Sequence, residues 1–203
     1  MYWAINQTVG FLQENLKGEI SSEDLNNLLL ASKHAHRIKK EEAADIGTLA
    51  HQWIEQHLRG NTLELPANEA ARNSCCAALD WLGTHHHESV AIEQRVYSKR
   101  HNFAGTVDYI SNVDGALALV DWKTSSGIYP EYFLQTSAYV GAWEEETGQK
   151  IPGRWLIRID KTTGAFEAKF SPRSEQRQDY RAFIAALQLY TRHKELEKKV
   201  KQK

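Results

Sequence analysis

The 203-residue sequence contains only two cysteines, which are adjacent at positions 75 and 76. Two neighbouring thiols provide neither a disulfide framework nor a C-x-x-C metal knuckle, so a reducing, cytoplasmic location is expected. The longest strongly apolar run, Ala116–Val120, is far too short to span a bilayer, and the first seven residues lack the pattern of a secretory signal. The low cysteine content and the lack of a long apolar run argue against a disulfide-stapled or membrane-spanning protein.

The sequence also lacks an excess of either charge, because 25 Lys and Arg residues face 26 Asp and Glu residues. This balance excludes a polycation that coats nucleic acid through bulk charge, but a local basic groove remains compatible with it. Hydrophobic residues make up 41% of the chain, which is typical of a globular protein. We expect a single domain over residues 1–203, with a helical part at 1–60, a sheet core at 61–171 and a C-terminal helix at 172–203.

The period of the hydrophobic pattern changes along the chain, and this change predicts an α+β or α/β sandwich. Helical spacing, with glycine or proline at the boundaries, predicts helices at about 1–17, 22–30, 42–58, 67–82, 130–147 and 172–199. Alternating β-branched and aromatic residues predict strands at 90–97, 103–111, 116–124, 153–160 and 165–170. The order indicates a mixed central sheet of about five strands with helices packed on it.

An Asp-Gly pair at 114–115 separates two of the predicted strands. This pair is typical of a two-residue type I′ turn, in which both residues need a positive φ. Such a turn fixes the register and places Asp108 directly opposite Asp121, with Lys123 on the same face two residues beyond. A four-residue loop would place Asp108 opposite Leu119 instead, and the sequence leaves this alternative open.

Two opposed carboxylates among apolar residues should repel each other unless a cation lies between them. Oxygen ligands at this density suit Mg²⁺ or Mn²⁺, and Lys123 would hold a water or stabilise a phosphoryl charge. The alternative is a surface salt bridge between Asp121 and Lys123. His51 could complete the metal shell as a neutral imidazole, or it could simply lie on a helix surface. Gln135 and Tyr139 share a helix face and could contact a nucleotide, support the lysine or form a helix-to-sheet contact.

Basic residues in two predicted loops or hairpins are candidates for contact with DNA. They could follow a single strand by pairing with phosphates, while aromatic side chains stack on bases. The alternative is that they are ordinary solvated charges. The candidates are Lys99, Arg100, Arg154, Arg158 and Lys161.

Four motifs, in this order along the chain, resemble those of the PD-(D/E)XK nuclease superfamily, and within it the RecB-like branch. That branch includes the mitochondrial genome-maintenance and phage-type exonucleases, and the similarity extends from about residue 43 to 160. The motifs are Gly47-Thr48-x-x-His51, Gly105-Thr106-Val107-Asp108, Val120-Asp121-Trp122-Lys123-Thr124 and Gln135-x-x-x-Tyr139.

The resemblance implies a three-layer α/β/α core of the restriction-endonuclease type. It also implies a Mg²⁺- or Mn²⁺-dependent exonuclease that hydrolyses phosphodiester bonds in single-stranded or end-bearing DNA. No iron–sulfur cluster is expected, because the two cysteines cannot supply the four ligands that such members of the branch use. One alternative is a catalytically inactive nucleic-acid-binding or assembly protein that retains the fold. Another is an unrelated α+β protein with structural ion pairs.

Individual roles follow from the same resemblance, position by position. Lys123 corresponds to the catalytic lysine, and Gln135 and Tyr139 correspond to the accessory pair of the branch. The implied metal ligands are His51, Asp108, Asp121 and the main-chain carbonyl of Trp122, with Glu93 as a possible addition.

Overall fold

A computed structural model describes residues 2–18 and 20–201 of the chain, so the predicted helix start at Met1 lies outside the described residues. The chain forms two compact units, residues 1–48 and 49–203. The first unit is helical and contains α1 (Tyr2–Asn15) and the beginning of α2 (Ser22–Leu58). The second unit contains all five strands and the helices that pack on them.

Helix α2 is one continuous helix of 37 residues. The prediction of two separate helices, at 22–30 and 42–58, is therefore wrong. The eleven residues between them, 31–41, include neither glycine nor proline. Since nothing in this segment removes a helical hydrogen bond or loosens the backbone, the helix continues through it.

The second unit is built on a mixed sheet with the strand order β1-β2-β3-β4-β5. All neighbouring strands are antiparallel except β3 and β4, which run parallel and are connected by a helix, α4. The sheet and order of elements agree with the prediction. The strands are β1 (His87–Ser98), β2 (Phe103–Val113), β3 (Ala116–Lys123), β4 (Gly153–Ile159) and β5 (Phe166–Pro172); the helices are α3 (Glu69–Gly83), α4 (Pro130–Thr147) and α5 (Arg173–Lys201).

Two apolar clusters cover the two faces of this sheet. On one face, Trp81 of α3 packs with Trp122 of β3 and with Ile54 near the end of α2. On the other face, Val140 of α4 packs with Leu119 of β3. Helix α5 packs beside α4 on that second face. Helices therefore cover both faces of the sheet, and the predicted three-layer α/β/α core is confirmed. None of the described helices is both long enough and apolar enough to cross a bilayer.

The turn between β2 and β3 has the geometry that its Asp-Gly pair predicts. The φ angles are +50° at Asp114 and +86° at Gly115. Regular pairing runs from this turn to Tyr109 and Val120, in the register of a two-residue loop. The four-residue alternative is therefore wrong. Tyr109 and Val120 are the last regular pair, and Asp108 and Asp121 are their neighbours on the side away from the turn.

Candidate active site

Asp108 fills the place where the ladder between β2 and β3 ends. Its Oδ2 accepts the main-chain N–H of Trp122 at 2.8 Å, so a side chain replaces a main-chain partner. The N–H and C=O of one strand residue point towards the same side of the strand. The Trp122 carbonyl therefore faces the same gap between the strands as the Asp108 carboxylate.

Three potential metal ligands converge beside this gap. His51 of α2, Glu93 of β1 and Asp108 of β2 each bring one ligand atom within 4.8 Å of the other two. The register of β1 and β2 places Glu93 opposite Asp108. Glu93 has a φ of +48°, a left-handed conformation that costs a non-glycine residue about 1–3 kcal/mol and is concentrated at functional sites.

A second charged group is centred on Lys123. Its Nζ lies 2.7 Å from Asp121 Oδ2 and donates a hydrogen bond to Gln135 Oε1 at 2.9 Å. Gln135 Nε2 in turn donates to the Tyr139 hydroxyl at 2.7 Å. The Lys123 Nζ also lies 4.8 Å from the centre of the Tyr132 ring, within cation–π range. Helix α4 therefore contacts the ammonium group through Gln135 and Tyr132, while Tyr139 orients Gln135.

The chemistry of these side chains fits a divalent cation. Asp121 is only 1% exposed. Its Oδ2 forms an ion pair with the Lys123 ammonium at 2.7 Å, and no other described residue bonds this oxygen. A buried carboxylate oxygen with one partner retains a lone pair that a divalent cation can accept. Carboxylate oxygens with one imidazole nitrogen form a donor set that suits a divalent metal ion.

Burial is the largest single influence on the pKa of each charged group in the site, although at Lys123 other influences together outweigh it. It raises the pKa of Asp108 to about 7, and burial followed by repulsion from Asp108 raises the pKa of Asp121 to about 7. Burial alone would lower the pKa of Lys123, but attraction from Asp121 and Asp108 outweighs it and the pKa is raised. Burial also lowers the pKa of His51 and raises that of Glu93. The lysine is therefore charged and the imidazole neutral, the form that binds metals.

Most of the residues that the sequence predicts for the site lie together, but the predicted DNA contacts are scattered. Lys99 and Arg100 are exposed in the turn between β1 and β2, and Lys161 is partly exposed in the turn after β4. Arg158, at the end of β4, donates to Asp160 Oδ2 at 2.6 Å and is only partly exposed. These four residues remain predictions for contact with DNA.

Arg154 is a correction to that prediction. Its side chain is 1% exposed, so it cannot reach a nucleic acid. The guanidinium donates to the Phe133 carbonyl at 2.6 Å, to Ser171 Oγ at 2.5 Å and to Asp179 Oδ2 at 2.5 Å. Arg154 therefore joins β4 to α4, β5 and α5 inside the protein.

Two residues near the site were missed at the level of sequence. Tyr132 lies three residues before Gln135 on the same face of α4, so helical spacing alone could have identified it. Gly105 had a place in a motif but no role. A Cβ at this position would lie 2.3 Å from Cε1 of Tyr139, so the tyrosine ring packs directly against the backbone of β2. No sequence signal predicts this contact.

The fold and the paired carboxylate and lysine groups define a metal-dependent nuclease domain. A model of the PD-(D/E)XK nuclease superfamily matches residues 67–199, and the chain belongs to this superfamily. Membership indicates a hydrolase that acts on nucleic acid and uses divalent metals. The matched range includes Glu93, Asp108, Asp121 and Lys123, whereas His51 precedes it. No curated protein matches the chain. Assignment to the RecB-like branch stays a prediction.

Proposed function

We propose that the protein is a Mg²⁺- or Mn²⁺-dependent exonuclease that hydrolyses phosphodiester bonds of DNA at free ends or in single strands. The observation that carries this proposal is the convergence of ligand atoms from His51, Glu93 and Asp108. The Asp121–Lys123 pair in the same buried site supports it further. The exonuclease activity and the DNA substrate rest on the resemblance to the RecB-like branch.

In this proposal the metal would be held by His51, Glu93 and Asp108, with Asp121 and the Trp122 carbonyl as further ligands. The neutral imidazole and the carboxylates supply both nitrogen and oxygen donors. A bound divalent cation would lower the pKa of a water molecule and neutralise charge on the scissile phosphate.

Lys123 acts as a proton-bearing donor rather than as a base, because its pKa is raised. An ammonium group has three N–H donors, and here one points to Gln135 and another lies near Asp121. The third can hold the attacking water or a phosphate oxygen. Its fixed charge stabilises the negative charge that develops as the phosphodiester bond breaks.

The direct test is degradation of end-labelled DNA by the purified protein, with Mg²⁺ or Mn²⁺ and with EDTA. We expect linear strands and duplexes to be shortened from their ends only when metal is present, and closed circular duplexes to stay intact. Lys123→Met and Asp121→Asn should each lower the rate by roughly 100-fold or more. Asp80→Asn is the matched control, because Asp80 is an exposed residue of α3.

The possible failures separate the parts of the proposal. Undiminished cleavage by Lys123→Met, or in EDTA, would contradict the assigned chemistry. Cleavage of closed circles would contradict the exonuclease activity alone, and cleavage of RNA in preference to DNA would contradict the substrate. If the wild-type protein binds DNA but cuts nothing, the inactive binding protein is the better interpretation.

A further inference from the structure

The hairpin of β1 and β2 has an open face that leads away from the candidate metal centre. Val96 packs against α4, Ser98 Oγ donates to Glu145 of α4 at 2.7 Å, and Gly105 meets Tyr139 of the same helix. Because side chains alternate along a strand, the residues between these lie on the face away from α4. They are Arg95, Tyr97, Ala104 and Thr106, and all four are exposed.

This open face begins close to the donor cluster along both strands. Arg95 and Tyr97 follow Glu93 at steps of two residues along β1, about 7 Å per step. Arg95 pairs in register with Thr106, two residues from Asp108 on β2. The exposed row therefore begins two residues from the candidate metal ligands Glu93 and Asp108 and extends towards the end of the hairpin.

Arg95 and Tyr97 have the chemistry of a strand-binding surface. The Arg95 side chain makes no hydrogen bond or ion pair with any described residue, although a guanidinium is an effective phosphate ligand. Tyr97 is 38% exposed, and its hydroxyl donates to Asn102 Oδ1 at 2.6 Å, which restrains the ring. A restrained, exposed aromatic ring is a platform on which a base can stack.

We propose that one strand of DNA, extending from the scissile phosphate, lies along this open face of the hairpin. Arg95 binds a phosphate of that strand, and Tyr97 stacks on a base. The small Ala104 and Thr106 side chains opposite leave room for the strand. This inference rests on the proposed function, and it adds a route for the substrate and two residues that bind it.

The test is equilibrium binding of a fluorescent single-stranded DNA oligonucleotide to the full chain carrying Asp121→Asn, followed by anisotropy over a range of salt concentrations. Adding Arg95→Ala should weaken binding roughly 10-fold and lower the slope of log K against log salt by about 0.7, the value for one phosphate contact. Adding Tyr97→Ala should weaken binding roughly 5- to 100-fold without changing that slope, whereas Tyr97→Phe should bind normally.

Arg181→Ala and Tyr190→Ala are matched controls, because both residues are exposed on α5. They should leave affinity and salt slope within twofold of the parent. The inference is overturned if Arg95→Ala and Tyr97→Ala bind DNA within twofold of the parent, or if they lose no more affinity than the controls. It is also overturned if Tyr97→Phe loses as much affinity as Tyr97→Ala. If the parent and every variant fail to bind DNA, the proposed function fails together with the inference.

Discussion

Replacing Asp121 with asparagine should stabilise the metal-free protein while it abolishes nuclease activity. Folding raises the pKa of this carboxyl from its ordinary 3.8 to about 7, chiefly through burial and then through repulsion from Asp108. At pH 8 this difference in pKa between the unfolded and folded states corresponds to at most about 4 kcal/mol of destabilisation. The pKa of about 7 already includes the attraction to Lys123. The amide removes this cost but leaves the buried ammonium with less compensating charge, so we expect a net gain of about 1–3 kcal/mol.

The pH dependence follows from the direction of the same pKa change. In the unfolded chain the Asp121 carboxyl ionises near 3.8, whereas in the folded protein it holds its proton until about 7. Between these values the folded state binds more protons, so the free energy of unfolding falls as the pH rises from about 4 to 7 and is level above that. In Asp121→Asn the free energy of unfolding should fall less over the same pH range. Added Mg²⁺ should restore stability at pH 8 more in the wild type than in the variant.

Urea unfolding in EDTA at pH 5 and pH 8, followed by the fluorescence of the six tryptophans, measures these free energies. Asp80→Asn is the control, and as an exposed substitution it should change stability by less than about 0.5 kcal/mol at either pH. If Asp121→Asn is less stable than the wild type at pH 8, the attraction between Asp121 and Lys123 exceeds the cost of burial and repulsion. The reasoning would then be refuted.

Three further substitutions probe the surroundings of the site. Gly105→Ala should force back the Tyr139 ring, which lies 2.3 Å from the added carbon, and slow DNA cleavage by roughly 10-fold; an unchanged initial rate would show that the ring moves freely. Arg154→Ala should leave Asp179 as an unpaired, mostly buried charge and lower the free energy of unfolding by about 3–5 kcal/mol, whereas a loss below about 1 kcal/mol in urea would contradict this structural role. Gly115→Ala places a side chain at a φ of +86° and should cost about 1 kcal/mol, and equal urea midpoints would contradict the type I′ turn.

The central hairpin could be predicted because its turn has a narrow chemical requirement. Asp-Gly accepts two successive positive φ angles, so the register of β2 and β3 and the proximity of Asp108 to Asp121 follow from the sequence. Helix α4 was equally predictable, since Pro130 begins it and Gln135 and Tyr139 share a face. These features depend on residues close together in the chain.

The features that sequence did not predict depend on long-range packing. The resemblance names Glu93 as a possible ligand, but no glycine or asparagine indicates the left-handed backbone with which Glu93 approaches His51 and Asp108. Arg154 has the sequence environment of a surface charge, yet its partners come from three other elements. The joining of two predicted helices into α2 reflects the absence of a breaker in 31–41, which spacing of apolar residues alone does not report.

The end of the ladder between β2 and β3 links the two halves of the candidate chemistry. If these strands stayed paired, a main-chain carbonyl of β2 would accept the Trp122 N–H; here the carboxylate of Asp108 accepts it instead. The Asp108 carboxylate therefore lies at the end of the ladder, and the chain neighbours of both aspartates are fully buried apolar residues. That burial raises the pKa values of Asp108 and Asp121, while their negative charge keeps Lys123 protonated. The end of the ladder therefore coincides with two carboxyls of raised pKa and with the charged lysine beside them.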